Sequence, residues 1–243
     1  MSAKVWQILI AAILGTALLV GLGVWQLQRL AWKEALIESL EQRLSASPGD
    51  LPARERWASL APANDEFRRV KFSAAFVPGA EALVYTSGSA LRSDVSGPGY
   101  WVFAPAQVAS GGVVVVNRGF LPEGRQDPAT RAAGATTGDA DLVGVMRWPE
   151  SRGVFSPQDD PGRNLWFVRD PIAIAAAKSW GEVAPFFVEL ESPQPPGGLP
   201  RAGALKVNLR NEHLQYAITW YGLALVVVVM FGLWFSGRAA RSA

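Results

Sequence analysis

The sequence predicts a two-helix membrane anchor plus an α+β periplasmic domain, mainly an antiparallel β barrel or sandwich with short helices. Three observations predict it. First, no Asp, Glu, Lys, Arg or His occurs between Lys4 and Arg29, and none occurs between His213 and Arg238. A hydrocarbon core about 30 Å thick needs about 20 apolar residues at 1.5 Å each, so both stretches can span it. Second, the chain between them is a series of short β-branched and aromatic runs separated by Gly- and Pro-containing turns. Third, all 21 acidic residues lie between the two apolar stretches, whereas the ends carry Lys4, Arg238 and Arg241 and no acid. Short cationic flanks stay in the cytoplasm, so both termini are expected there and the domain in the periplasm.

Taken in order, residues 1–4 form a cytoplasmic stub and 5–27 the first transmembrane helix. The apolar run is longer than a signal-peptide core. Trp25-Gln26-Leu27-Gln28-Arg29 follows it, where a cleavable leader would have a small-x-small site. No Arg- and Ser-rich transit peptide precedes it, which favours a bacterial inner membrane. Leu27, Leu30, Ala31, Leu36, Ile37, Leu40 and Leu44 recur at helical spacing, with Glu34, Glu38 and Glu41 between them, so the helix is expected to continue to about residue 44. The domain occupies 28–212. Strands are expected at 68–77, 82–87, 100–106, 113–120, 141–148, 165–168 and 186–190. A short Ala-rich helix at 171–180 starts on a proline. Residues 124–138 and 151–163 read as mobile loops, and the Pro-rich 192–203 as a linker or wrapped loop. The second transmembrane helix covers 213–236, and 237–243 is a cytoplasmic tail. Trp6 and Trp234 fall near the inner interface, and Trp25, Tyr216, Trp220 and Tyr221 near the outer one, as an aromatic belt requires.

Composition excludes several chemistries. There is no cysteine, hence no thiol oxidoreductase, thiolate copper carrier or Fe–S centre. Met1, Met146 and Met230 are the only methionines, too few and too scattered for a thioether copper site. The domain is close to neutral, which argues against nucleic acid as a partner. His213 is the only histidine, so no site needing two can form.

His213 has two readings. It is an interfacial side chain with its polar tip among headgroups, or an axial ligand to a haem iron. Tyr216, Ala217 and Trp220 share its helical face, which could accept a flat apolar ring. The same stripe could instead pack against the first helix, where Gly15, Gly21 and Gly23 permit close approach. Arg118 could grip a carboxylate bidentately or pair with an acid inside the domain. Arg29 and Lys33 could meet lipid phosphates or propionates, or act as interfacial anchors. Nothing matches a phosphate-binding loop, a nucleophile elbow or a carboxylate metal loop.

Four blocks carry a resemblance. Gly23-Val24-Trp25-Gln26-Leu27-Gln28-Arg29-Leu30-Ala31-Trp32-Lys33, Val116-Asn117-Arg118-Gly119-Phe120-Leu121-Pro122, Asn164-Leu165-Trp166-Phe167-Val168-Arg169-Asp170, and the stretch from Asn211-Glu212-His213 to Trp220-Tyr221-Gly222-Leu223-Ala224 occur in this order. Together they resemble the surfeit-locus protein 1 family over nearly the whole chain. Two positions depart from the family pattern: Phe120 stands where the family has Trp, and Glu212 where it has Asn.

The resemblance implies a non-enzymatic assembly factor for haem-copper oxidases, chiefly aa3-type cytochrome c oxidase, that binds haem a and aids its placement in subunit I. The family histidine and tryptophan match His213 and Trp220. The implied site is His213 as iron ligand, Trp220 and Tyr216 at the ring, and Arg118 or Arg29 at propionates. The implied partners are oxidase subunit I, with haem a synthase as a further candidate, and membrane lipids. The alternative is a structural scaffold that stabilises subunit I without binding a cofactor.

Overall fold

The absence of proline and the long run of Leu, Ile, Val and Ala make the N-terminal stretch one unbroken helix, α1 (Ala3–Ser45). The computed structural model describes residues 3–135, 138–207 and 211–240. Arg241, part of the flank reading above, lies outside the described residues, as do residues 136–137 of the 124–138 loop. The chain divides into a helical unit (Met1–Ser39 with Leu209–Ala243) and a barrel unit (Leu40–Asn208). The amphipathic extension of α1 reaches Ser45, one residue beyond the periodicity. Within the barrel unit Arg43 ties the end of α1 down by donating to the carbonyls of Glu66 (2.8 Å) and Ala63 (3.0 Å).

The strands follow in chain order. They are β1 (Gly49–Asp50), β2 (Arg69–Phe76), β3 (Ala82–Gly88), β4 (Ser96–Val108), β5 (Val113–Pro122), β6 (Asp139–Arg147), β7 (Leu165–Trp166) and β8 (Phe187–Ser192). Every expected strand is present within a few residues. β2, β6, β8, β5 and β4 form a ring, closed by Ala74–Phe76 of β2 pairing with Ala106–Val108 of β4. Closure removes the open edges that a five-stranded sheet would otherwise present. β3 and β7 extend the sheet beyond β4, and β1 pairs with β2. The barrel is mainly antiparallel, as expected, with a single parallel pairing in the ring, between β5 and β8. Helix α3 (Pro171–Lys178) lies in the crossover between β7 and β8, capped by Asp170, whose carboxylate accepts from the Ile172 and Ala173 amides.

The Val-rich run of β5 has both faces covered. Val114 and Val116 join the barrel interior with Val70, Phe76, Leu142, Met146 and Phe186. Val115 turns to the opposite cluster, with Phe103, Trp166, Ile174 and Phe187. A strand buried on both sides loses the apolar–polar alternation of a half-exposed one. The segment read as a mobile loop at 124–138 is in part packed, and the Pro-rich 192–203 is the wrapped loop rather than the linker of its two readings. Arg131 and Gly134 in the 3-10 turn Pro128–Gly134 are buried, and the Pro-rich strap runs against β5, with Phe120 and Arg201 exchanging both backbone hydrogen bonds (3.0 and 2.7 Å). Two short helical turns, Arg54–Ser59 and α2 (Pro62–Asp65), had no sequence signal strong enough to announce them. In α-helices the chain order is α1, α2, α3 and then α4 (His213–Ala240).

A buried ion network crosses one side of the barrel. Glu189 Oε1 accepts from Arg147 Nη1 (3.2 Å) and Arg169 Nη1 (2.7 Å). Arg147 Nε also meets Glu66 (3.2 Å), and Arg169 Nη2 donates to Glu150. Burial would raise the Glu150 carboxyl pKa, but the Arg169 hydrogen bond and charge, helped by Arg147, hold it below its ordinary value. A lowered folded-state pKa contributes stability above the unfolded value of about 4.5, and that contribution is lost as pH falls through the folded value. Unfolding titrations below about pH 4.5 should therefore show a shallower acid dependence for Glu150→Gln than for the parent chain. Identical slopes would remove Glu150 from the acid response.

Candidate functional site

The two long helices pair through a regular seam. On α1 a shielded stripe runs through Val5, Leu9, Ala12, Thr16, Leu19, Gly23 and Gln26, flanked by Gly15 and Leu22; on α4 it runs through His213, Ala217, Trp220, Ala224, Val227, Phe231 and Trp234, flanked by Tyr221. Both sets alternate steps of three and four, the spacing that keeps one stripe facing a partner helix. The remaining faces are apolar and exposed, as lipid-facing surfaces are: Ile13, Leu14 and Leu18 on α1, Leu225, Met230 and Leu233 on α4. Both helices are long and apolar enough to cross a membrane. The helices approach closely at Gly23, where a Cβ would sit 2.7 Å from the Tyr221 ring. Gly15 and Gly21 face open space.

The seam ends in polar groups. His213 opens α4 and its Nδ1 lies 2.8 Å from Gln26 Oε1 on α1. An Nδ1–H donor to this amide oxygen is the tautomer that, in a neutral ring, places the lone pair on Nε2. Gln26, Lys33, Glu212, His213 and Tyr216 line a recess of about 300 Å³. Just before it, Asn211 has a buried Oδ1 with no hydrogen-bond partner among the described residues. Among the described residues no three His, Cys, Asp or Glu side chains converge on one point.

The expected site residues separate. His213 and Tyr216 line the recess. Trp220 is partly shielded on the seam and does not line it. Arg29 is exposed, its guanidinium 4.3 Å over the Trp32 ring. Arg118 belongs to the barrel unit and lines a cavity of its own. The stripe His213–Tyr216–Ala217–Trp220, which periodicity left open, is divided. Ala217 and Trp220 serve the helix pair, while Tyr216 is exposed beside the histidine. Gln26 is the residue that sequence reasoning missed. Its signal was a polar side chain three positions after Gly23, inside a charge-free stretch.

The donor set fits one axial ligand and one edge of a flat apolar ring. A single imidazole is oriented by a neighbouring amide, and an exposed tyrosine and the stem of Lys33 provide a wall. The recess is too small and too open to enclose a macrocycle.

The sequence matches the model of the SURF1 family over residues 13–225. It is 38% identical to Surfeit locus protein 1 of Rattus norvegicus, over 91% of this chain and 72% of the relative. It is 36% identical to Surfeit locus protein 1 of Homo sapiens, over 88% of this chain and 72% of the relative. It is 37% identical to a SURF1-like protein of Monosiga brevicollis, over 87% of this chain and 81% of the relative. With a family model covering most of its length and relatives matched across most of theirs, this chain belongs to the SURF1 family.

Proposed function

We propose that this chain is an assembly factor for aa3-type cytochrome c oxidase that holds haem a as cargo beside His213 for delivery to subunit I. Both termini would be cytoplasmic in a bacterial inner membrane, with the barrel in the periplasm. Haem a synthase would be the donor. The observation that carries the reading is the His213–Gln26 pair, an imidazole whose Nδ1 is engaged at 2.8 Å and whose Nε2 is left to ligate. His213 binds, Gln26 sets the tautomer and ring orientation, and Tyr216 covers one edge. The cargo's iron supplies the redox chemistry only after transfer.

Purification from cells that make haem a, followed by absorption spectroscopy, tests this. The parent chain should carry haem a, and His213→Ala should lose it. Gln26→Leu should retain the fold but bind about 10–100-fold more weakly, as loss of a ligand's supporting hydrogen bond does. Equal occupancy and an unchanged ligation spectrum in His213→Ala would falsify the ligand assignment. The scaffold reading draws on a different feature, the turn tip at Val154 and Phe155, which are 95% and 97% exposed and suit a protein contact. Capture of subunit I by His213→Ala but not by Val154→Ser/Phe155→Ser would favour it.

A further inference from the structure

Arg118 lies within β5, in the second family block, and its side chain is buried in a way the haem reading does not use. The residue is only 6% exposed. It lines a cavity of about 130 Å³, together with Phe76, Glu81, Ala104, Arg131 and Ala135. Nη2 donates to the Gly134 carbonyl, while Nε is buried with no hydrogen-bond partner among the described residues. The guanidinium carbon lies 5.2 Å from the Phe76 ring centroid.

Glu81, the only acid lining this cavity among the described residues, is already committed. Both carboxylate oxygens of Glu81 accept from Arg131, and Arg131 also donates to the carbonyls of Arg125 and Gln126. Two guanidiniums therefore face one carboxylate, and among the described residues Arg118 is the one of the two without an ion pair of its own. Burial lowers the Arg118 pKa, the Glu81 charge opposes that shift, and the Arg131 charge adds to it. A buried donor on a cationic group that faces a cavity is costly unless something in the cavity accepts from it.

We propose that this cavity is a binding site for a short-chain monocarboxylate, held by the free edge of Arg118 with its carbon end against Phe76 and Ala104. The chemistry favours a carboxylate over phosphate. Among the described residues Arg118 spends one donor, on the Gly134 carbonyl, which leaves an edge of the guanidinium for a ligand, and the small apolar opposite wall suits a carbon end better than a hydrated dianion. A guanidinium edge matches a planar carboxylate, and the volume suits two to three carbons beside it. The site lies wholly within the barrel unit and does not depend on the role of His213.

Calorimetric titration of the full chain in detergent, at constant ionic strength in chloride, tests the proposal with sodium propionate as the probe. Inorganic phosphate and propionamide form parallel arms. Saturable one-to-one binding of propionate is expected, with none for propionamide and at least about tenfold weaker binding for phosphate. Arg118→Gln should abolish it. Arg118→Lys keeps the charge but loses the planar edge, and should weaken it about tenfold. Should Arg118→Gln fail to fold, Ala80→Leu decides, because it fills the cavity and leaves the guanidinium in place; it should also abolish binding. No saturable propionate binding, tighter binding of phosphate, or unchanged binding in the folded variants would each overturn the assignment. No haem enters the readout, so its failure and failure of the cofactor reading are separate results.

Discussion

Replacing Glu189 with alanine is expected to destabilise the barrel by about 3–5 kcal/mol. The reason is not the loss of an attraction but the charge left behind. Glu189 is 5% exposed, and one of its oxygens serves Arg147 and Arg169 together. Arg147 is itself 7% exposed, and its remaining partner, Glu66, is reached at 3.2 Å. Removing the central carboxylate leaves two guanidiniums side by side with one acid each at their outer ends. Thermal or denaturant unfolding of the full chain in detergent measures the effect. The double variant Glu189→Leu/Arg147→Met should recover much of the loss, because an apolar pair of similar volume strands less charge than a broken ion pair. A double variant no more stable than Glu189→Ala would mean that packing, rather than unpaired charge, sets the cost.

Gly119→Ala is the second large effect, expected to cost about 4 kcal/mol and to lower the melting temperature by about 10 °C. Two constraints coincide at this glycine. Its φ of +127° is a conformation that a residue with a Cβ avoids. A Cβ would also lie 2.2 Å from the Arg201 carbonyl oxygen, on the strap that exchanges backbone hydrogen bonds with Phe120. The strap would have to move off β5, taking with it the paired backbone hydrogen bonds to Phe120 and the Arg201 guanidinium that lies 6.0 Å from the Phe120 ring centroid. Gly124→Ala is the matched control. It also has positive φ (+85°) but faces open space, so about 1 kcal/mol is expected. Equal losses at the two positions would show that backbone conformation alone, and not the strap, makes Gly119 necessary.

Gly119 also shows why the central motif was only half legible. Asn117-Arg118-Gly119-Phe120 was visible as a strand end, and Arg118 as a cation in search of an oxyanion. Each side chain's purpose lies in a partner far along the chain or in a local loop closure. Asn117 Oδ1 accepts from the Gly119 amide, Gly119 makes room for Arg201, and Arg118 reaches Gly134. Such partners leave no periodic trace. The Glu189 network was illegible for the same reason: Glu66, Arg147, Glu150, Arg169 and Glu189 come together only when β6 and β8 pair.

The candidate site divides along the same line. Sequence alone determined the two apolar helices, because charge exclusion over a membrane's thickness is a property of consecutive residues. It determined nearly every strand of the barrel for a similar reason, since β-branched runs and turn residues act locally. It also singled out His213 by elimination, as the chain's one histidine. Tertiary structure decided what those elements do together. It closed the sheet by joining β2 to β4, and it made β5–β8 parallel. It turned Trp220 to the seam and left Tyr216 exposed, and it brought Gln26 from 187 residues away to the His213 ring. Local propensity is summed over neighbours in the chain, whereas strand order, side-chain orientation and the choice of tautomer depend on neighbours in space.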